Sequence, residues 1–152
     1  MKKVFTLRGT SKCGKTTKIK KIAEWLLDNY FVEGDFTDID FKRKDMYGII
    51  EIQGLIFAFV GAGDSLDHVK KLNDLIIKHK DKTIDIVVNS CHNGRGREYI
   101  VSNYQDQGWD VTFIEVQKLK DPTQKEIENR DNPILEGLKK EILNFIRGRI
   151  RN

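Results

Sequence analysis

Gly9-Thr10-Ser11-Lys12-Cys13-Gly14-Lys15-Thr16 fits the pattern G-x-x-x-x-G-K-[ST] and stands where that pattern works. Before it runs Lys3-Val4-Phe5-Thr6-Leu7-Arg8, a short segment of β type. After it, apolar residues recur at helical spacing. A compact loop between a strand and a helix offers an anion its backbone N–H groups, together with the open N–H groups of the helix start. Gly9 and Gly14 let the loop bend tightly and bring its backbone close to a phosphate. Lys15 is expected to reach phosphate oxygens, and the Thr16 hydroxyl to hold Mg²⁺. Thr10, Ser11, Cys13 and Thr17 complete the loop and the first turn as structure or as further phosphate contacts. Lys12 adds a second loop cation, read as a solvated charge ahead of a direct phosphate contact.

Outward from the loop, strands and helices alternate. The first helix is expected over Lys15 to Asn29, with Ile19, Ile22, Ala23, Leu26 and Tyr30 inward and Lys18, Lys20, Lys21, Glu24 and Asp28 on the other side. Asp35 to Phe41 alternates at period two, as a half-exposed strand does. Gly48 to Ile52 and Leu55 to Val60 are two β-rich runs joined by Gln53-Gly54, a tight antiparallel hairpin whose second strand is apolar on both faces and therefore central. A helix over Ser65 to Lys80, capped by Asp64 or Ser65, puts Leu66, Val69, Leu72 and Ile76 inward. A core strand over Ile84 to Asn89 leads into a polar loop from Ser90 to Arg97. A helix from Glu98 to Gln107 closed by Gly108, a strand over Val111 to Val116, and a last helix announced by Asn132-Pro133 complete the chain. This succession predicts a three-layer α/β sandwich with a mostly parallel sheet and one antiparallel hairpin.

Composition narrows the setting. One domain spanning 1–152 suits the length, and 33% charged with 39% hydrophobic residues suits a soluble, cytoplasmic chain with no membrane partner. The longest apolar run, Leu55 to Val60, is far short of a bilayer span. Two cysteines, one inside the phosphate loop, point to a reducing compartment, and no spacing suggests zinc. The net charge of +4 is mild. Its densest cluster, Arg147 to Arg151, has no recognisable nucleic-acid module beside it.

Ligands of such sheets bind at the carboxyl ends of the strands, which selects the phosphate loop, Gly61 to Asp64 and Ser90 to Arg97. Asp64 is the leading second acid for the metal, held directly or through water, with a plain helix N-cap as the competing role. Asp38 and Asp40 compete as acids facing an acceptor. Arg95 and Arg97 are candidate forks for phosphate oxygens, and Arg130 and His92 are weaker candidates.

With these residues placed, the chain resembles the P-loop NTPase superfamily across nearly its full length. It is similar to small phage and bacterial P-loop proteins and to small nucleotide- or polynucleotide-kinase-like proteins. The resemblance implies ATP or another NTP, Mg²⁺, and transfer of the γ-phosphate to a small-molecule or nucleic-acid acceptor. Lys15, Asp64, Arg95 and Arg97 would do the catalytic work, with Thr16 and Asp64 at the metal. The alternative is a nucleotide-dependent switch, or a slow NTPase acting on a protein or nucleic-acid partner. Guanine specificity is not implied: Val60-Gly61-Ala62-Gly63 stands where a GTPase has D-x-x-G, and Asn89-Ser90-Cys91-His92 where it has N-K-x-D.

Overall fold

The computed structural model describes residues 2–10, 13–30, 38–39, 47–61, 65–92 and 94–150, with 38, 39, 149 and 150 described by backbone alone. Six strands form one sheet: β1 (Lys3–Arg8), β2 (Asp38–Ile39), β3 (Tyr47–Ile52), β4 (Leu55–Val60), β5 (Ile86–Cys91) and β6 (Asp110–Glu115). Their order across the sheet is β2-β3-β4-β5-β1-β6. The four strands β4, β5, β1 and β6 run parallel, while β3 is antiparallel to β4 and to β2. The Gln53-Gly54 turn has φ of 52° and 79°, the paired positive values that match a hairpin to strand twist. The fold is therefore α/β, with the expected mostly parallel sheet and one antiparallel hairpin.

The helices are α1 (Lys15–Asn29), α2 (Leu66–Val69), α3 (Lys71–Lys78), α4 (Arg95–Asn103) and α5 (Gln124–Ile150). Val69, Leu72, Leu75, Ile100 and Tyr104 join Val4, Ile49, Ala58, Val60, Val87 and Cys91 in one buried cluster, so α2, α3 and α4 cover one face of the sheet. Strand alternation turns Phe5, Leu7, Phe57, Phe59, Ile86 and Val88 to the other face, all of them buried. Helix α1 packs there against β4 and β5, burying Ile19, Ile22, Ala23 and Leu26 as the spacing predicts. No described helix is long and apolar enough to cross a membrane.

Several boundaries differ from expectation for identifiable reasons. The helix expected over Ser65 to Lys80 is two helices: Ser65 caps α2 by accepting from the His68 N–H, and the chain tightens at Lys70 before α3 begins. Leu75, outside the expected stripe, is buried along with Leu72. Strand β5 runs on to Cys91 because Ser90 and Cys91 continue the ladder with Leu7 and Arg8 of β1. Helix α4 accordingly begins at Arg95 and ends at Asn103. A 3-10 turn over Gln105–Gln107 follows, closed by Gly108 at φ 93° as expected. Strand β6 falls one residue early, at Asp110–Glu115. Of the strand expected over Asp35 to Phe41, Asp38–Ile39 is described, and the rest lies outside the described residues.

The chain divides into two compact units, Met1–Lys118 and Leu119–Asn152. The second carries α5, which starts eight residues before Asn132 and holds Pro133 in its interior. Its start is a capping box: Thr123 Oγ1 accepts from the Glu126 N–H at 3.2 Å, and the Glu126 carboxylate accepts from the Thr123 N–H at 3.2 Å. Leu135, Leu138, Ile142 and Ile146 fall on one face of the helix by their spacing.

Candidate functional site

Parallel pairing brings the ends of β4, β5, β1 and β6 to one edge. Arg8 lies opposite Cys91 on one side and Glu115 on the other, and Val60 lies opposite Asn89. The segment after β1 leads directly into α1. Gly14, the residue before the helix, has φ 88°, a left-handed backbone in which glycine replaces side-chain capping. Gly9 is packed so closely that an added Cβ would lie 2.6 Å from the Val116 carbonyl oxygen and 2.7 Å from Cys13 Sγ. Cys13 is buried, Thr10 and Thr17 are exposed, and Ser11 and Lys12 lie outside the described residues.

Lys15 is the first residue of α1 and is 4% exposed. Its Nζ donates to the Gly9 carbonyl at 2.6 Å and to the Cys91 carbonyl at 3.3 Å, which sets the ammonium across the base of the loop. Thr16 Oγ1 donates to the Gly61 carbonyl at 2.6 Å, and Ser90 Oγ donates to the same carbonyl at 3.1 Å. Two hydroxyls from different elements thus fix the residue that follows β4. Beneath them Thr6 Oγ1 donates to Asn89 Oδ1 at 2.7 Å, both side chains being buried, and Asn89 Nδ2 has no partner among the described residues.

Two placements correct the sequence reading. Asp64 is expected at about the end of a core strand beside the strand that precedes Gly9, but β5 stands between β4 and β1. Asp64 itself lies outside the described residues, as do Asp40 and Gly63. The polar side chains at the end of the neighbouring strand are Asn89 and Ser90, which expectation had left unassigned. Lys18, read as part of the solvent face, is fully buried, and its Nζ donates to the Gly14 carbonyl at 3.2 Å. Periodicity could not have shown this, since the carbonyl that receives it belongs to the loop.

The arginines occupy the head of α4 rather than a loop. The Arg97 guanidinium stands over the Phe113 ring, 5.0 Å from its centroid. Arg95 is exposed, with no ion pair among the described residues. Arg8 is tied to Glu115. Arg130 lies in α5, where its Nε contacts the adjacent Asp131 carboxylate at 2.7 Å. His92 is partly buried just after β5. Burial pushes the Cys91 thiol up from 9.0 to about 11, against the lowering fields of Lys15 and Arg8.

No family model matches the chain, and no curated protein matches it. Among solved structures, the crystal structure of APE1195 is similar over 99% of this chain and 74% of that one, at 21% identity and a TM-score of 0.40.

Proposed function

We propose that the protein is an ATP-binding P-loop NTPase, a small kinase-like phosphotransferase that moves the γ-phosphate to an acceptor. One observation carries the reading: the Gly9 to Thr16 motif runs from the end of β1 into the first turn of α1, with Gly14 left-handed at the helix start and the Lys15 ammonium bonded to the Gly9 carbonyl. The residues present suit a nucleotide and its metal. Gly9 leaves no room for a side chain where the backbone must stay low. Thr16 donates its proton to Gly61, which leaves its oxygen lone pairs for a cation. When bound, Mg²⁺ neutralises phosphate charge as it builds.

In this reading the chain's own groups bind and position. Lys15 exchanges two carbonyl partners for phosphate oxygens, a charge-assisted contact stronger than either neutral one. The N–H groups at the head of α1 receive the remaining oxygens. Ser90 holds the Gly61 carbonyl and through it the Thr16 hydroxyl. Arg95 and Arg97 supply further positive charge at the same strand-end edge. Asp64 remains the proposed acid for the metal's water shell.

The test is thermal stability with MgATP and with other nucleotides, in the parent protein and in Lys15→Ala, followed by a transfer screen across nucleosides, sugars, nucleotides and nucleic-acid ends. We expect a clear stabilisation that Lys15→Ala removes, and labelled product from one acceptor class. Absence of stabilisation by any nucleotide overturns the reading. Binding with slow hydrolysis and no transfer would favour the nucleotide-dependent switch.

A further inference from the structure

Outside the phosphate loop the first unit carries an open cleft of about 450 Å³, lined by Leu66, Arg95, Glu98, Tyr99, Ser102 and Asn103. Its walls are the first residue of α2 and one face of α4. Both walls begin at the edge where the parallel strands end. Leu66 lies five residues beyond Gly61, the acceptor for Thr16, and Arg95 lies four beyond Cys91, an acceptor for Lys15.

The donors in this cleft are organised from behind. Buried Tyr104 donates its hydroxyl to Asn73 Oδ1, and Asn73 Nδ2 donates to the Tyr99 hydroxyl oxygen. That sequence of bonds spends the acceptor side of Tyr99 and leaves its own proton for a ligand. Each bond polarises the next, so the outermost donor is strengthened. Burial and the neighbouring Asp74 carboxylate both push the Tyr99 phenol up, which keeps it in its donating form. Lys70 stands over the Tyr99 ring, 5.9 Å from its centroid, and adds positive charge there. Arg95 differs from Arg8 and Arg97, whose guanidiniums are engaged on Glu115 and Phe113. A forked cation and a polarised phenol together suit a tetrahedral anion. Glu98 and Ser102, on the same wall, offer acceptors to hydroxyl groups.

We propose that the cleft between α2 and α4 is a second binding site, for a small phosphomonoester that carries free hydroxyls, with Arg95 and the Tyr99 hydroxyl on its phosphate and Glu98 on its hydroxyls. The site stands without the P-loop reading. If that reading holds, this ligand is the acceptor, brought to the edge where the γ-phosphate lies.

The experiment is calorimetric titration of the full chain with ribose 5-phosphate, adenosine monophosphate, ribose and inorganic phosphate. It is repeated for Arg95→Gln, Tyr99→Phe and Lys15→Ala, with amide shifts followed by NMR. Arg95 is exposed, so its variant tests binding without threatening the fold. We expect a phosphomonoester to bind, shifting the amides of Leu66, Arg95 and Ser102. Arg95→Gln and Tyr99→Phe should each weaken it roughly tenfold or more, and Lys15→Ala should leave it unchanged. The proposal fails if no phosphomonoester binds at millimolar concentration or if Arg95→Gln has no effect. It fails equally if Lys15→Ala abolishes binding, which would place the ligand at the phosphate loop, or if inorganic phosphate binds as tightly as the sugar phosphate. Loss of nucleotide stabilisation in the Lys15→Ala control bears on the phosphate loop alone, so the two readings fail separately.

Discussion

A methyl group added at Gly9 would meet the Val116 carbonyl oxygen at 2.6 Å and Cys13 Sγ at 2.7 Å. The sulfur can turn aside, but the carbonyl belongs to the backbone that leaves β6. Gly9→Ala should therefore cost about 1–3 kcal/mol of stability, the usual range for overpacking, read from urea midpoints. Adding Cys13→Ala should restore only part of it. Cys91 makes a second prediction. Its native thiol titrates at about 11 rather than 9.0, chiefly through burial, so the native state holds the proton more tightly than the unfolded chain. Its contribution is whole below about pH 9 and is lost as the pH rises from about 9 toward 11. Denaturation across that window should show a downward slope that Cys91→Ala flattens. At pH 8 the folded protein should resist thiol alkylation at this residue.

Helix α5 separates what local chemistry shows from what a single punctuation residue suggests. Pro133 reads as a helix start because its missing N–H costs nothing at a first turn, yet it lies inside a 27-residue helix. The actual start, Thr123-Gln124-Lys125-Glu126, is a capping box, a pattern legible in the sequence that the reading from Pro133 left out. Thr123→Ala should lower the stability of α5 by about 1 kcal/mol. Pro133→Ala should raise it by about 1–3 kcal/mol, since an interior proline removes one helix bond and crowds the preceding turn. Helicity by circular dichroism through a thermal melt checks both, and a neutral Pro133→Ala would refute the argument. Elsewhere the elements were legible wherever a strong period ran between clear breaks, as in β1, α1, and β3 with β4. The failures at β5 and α4 have one cause. Ser90 and Cys91 look like loop residues, and only their ladder with Leu7 and Arg8 makes them strand, which then moves Arg95 and Arg97 into a helix.

Across the first unit, Lys15 and Thr16 tie the segment after β1 to two other strand ends, and Ser90 ties those two ends to each other. Lys15 reaches the Cys91 carbonyl at the end of β5, Thr16 reaches the Gly61 carbonyl after β4, and Ser90 of β5 reaches that same carbonyl. The Lys15 and Thr16 half of the site was written in the octapeptide. The Ser90 half was not, because it exists only once β5 is inserted between β4 and β1. If nucleotide is held at Lys15 and Thr16, ordering those two side chains must be felt at Gly61 and Cys91, since they share hydrogen bonds. Amide exchange should then slow together at the C-terminal ends of β1, β4 and β5 when MgATP is added, while β3, which pairs with β4 and β2 and with neither β5 nor β1, should change little. Removing one of two donors to a buried carbonyl costs about 1 kcal/mol, so Ser90→Ala should fold. Its protection at β4 should rise less on MgATP addition than that of the parent. At a nucleotide concentration 100-fold above its Kd, the stability gained is about 2.7 kcal/mol. Ser90→Ala should keep the part due to Lys15 and lose part of the Mg²⁺-dependent remainder, measured as the difference between melts with ATP alone and with MgATP. Equal Mg²⁺ dependence in the two proteins would show that Ser90 supports the strand end without positioning Thr16.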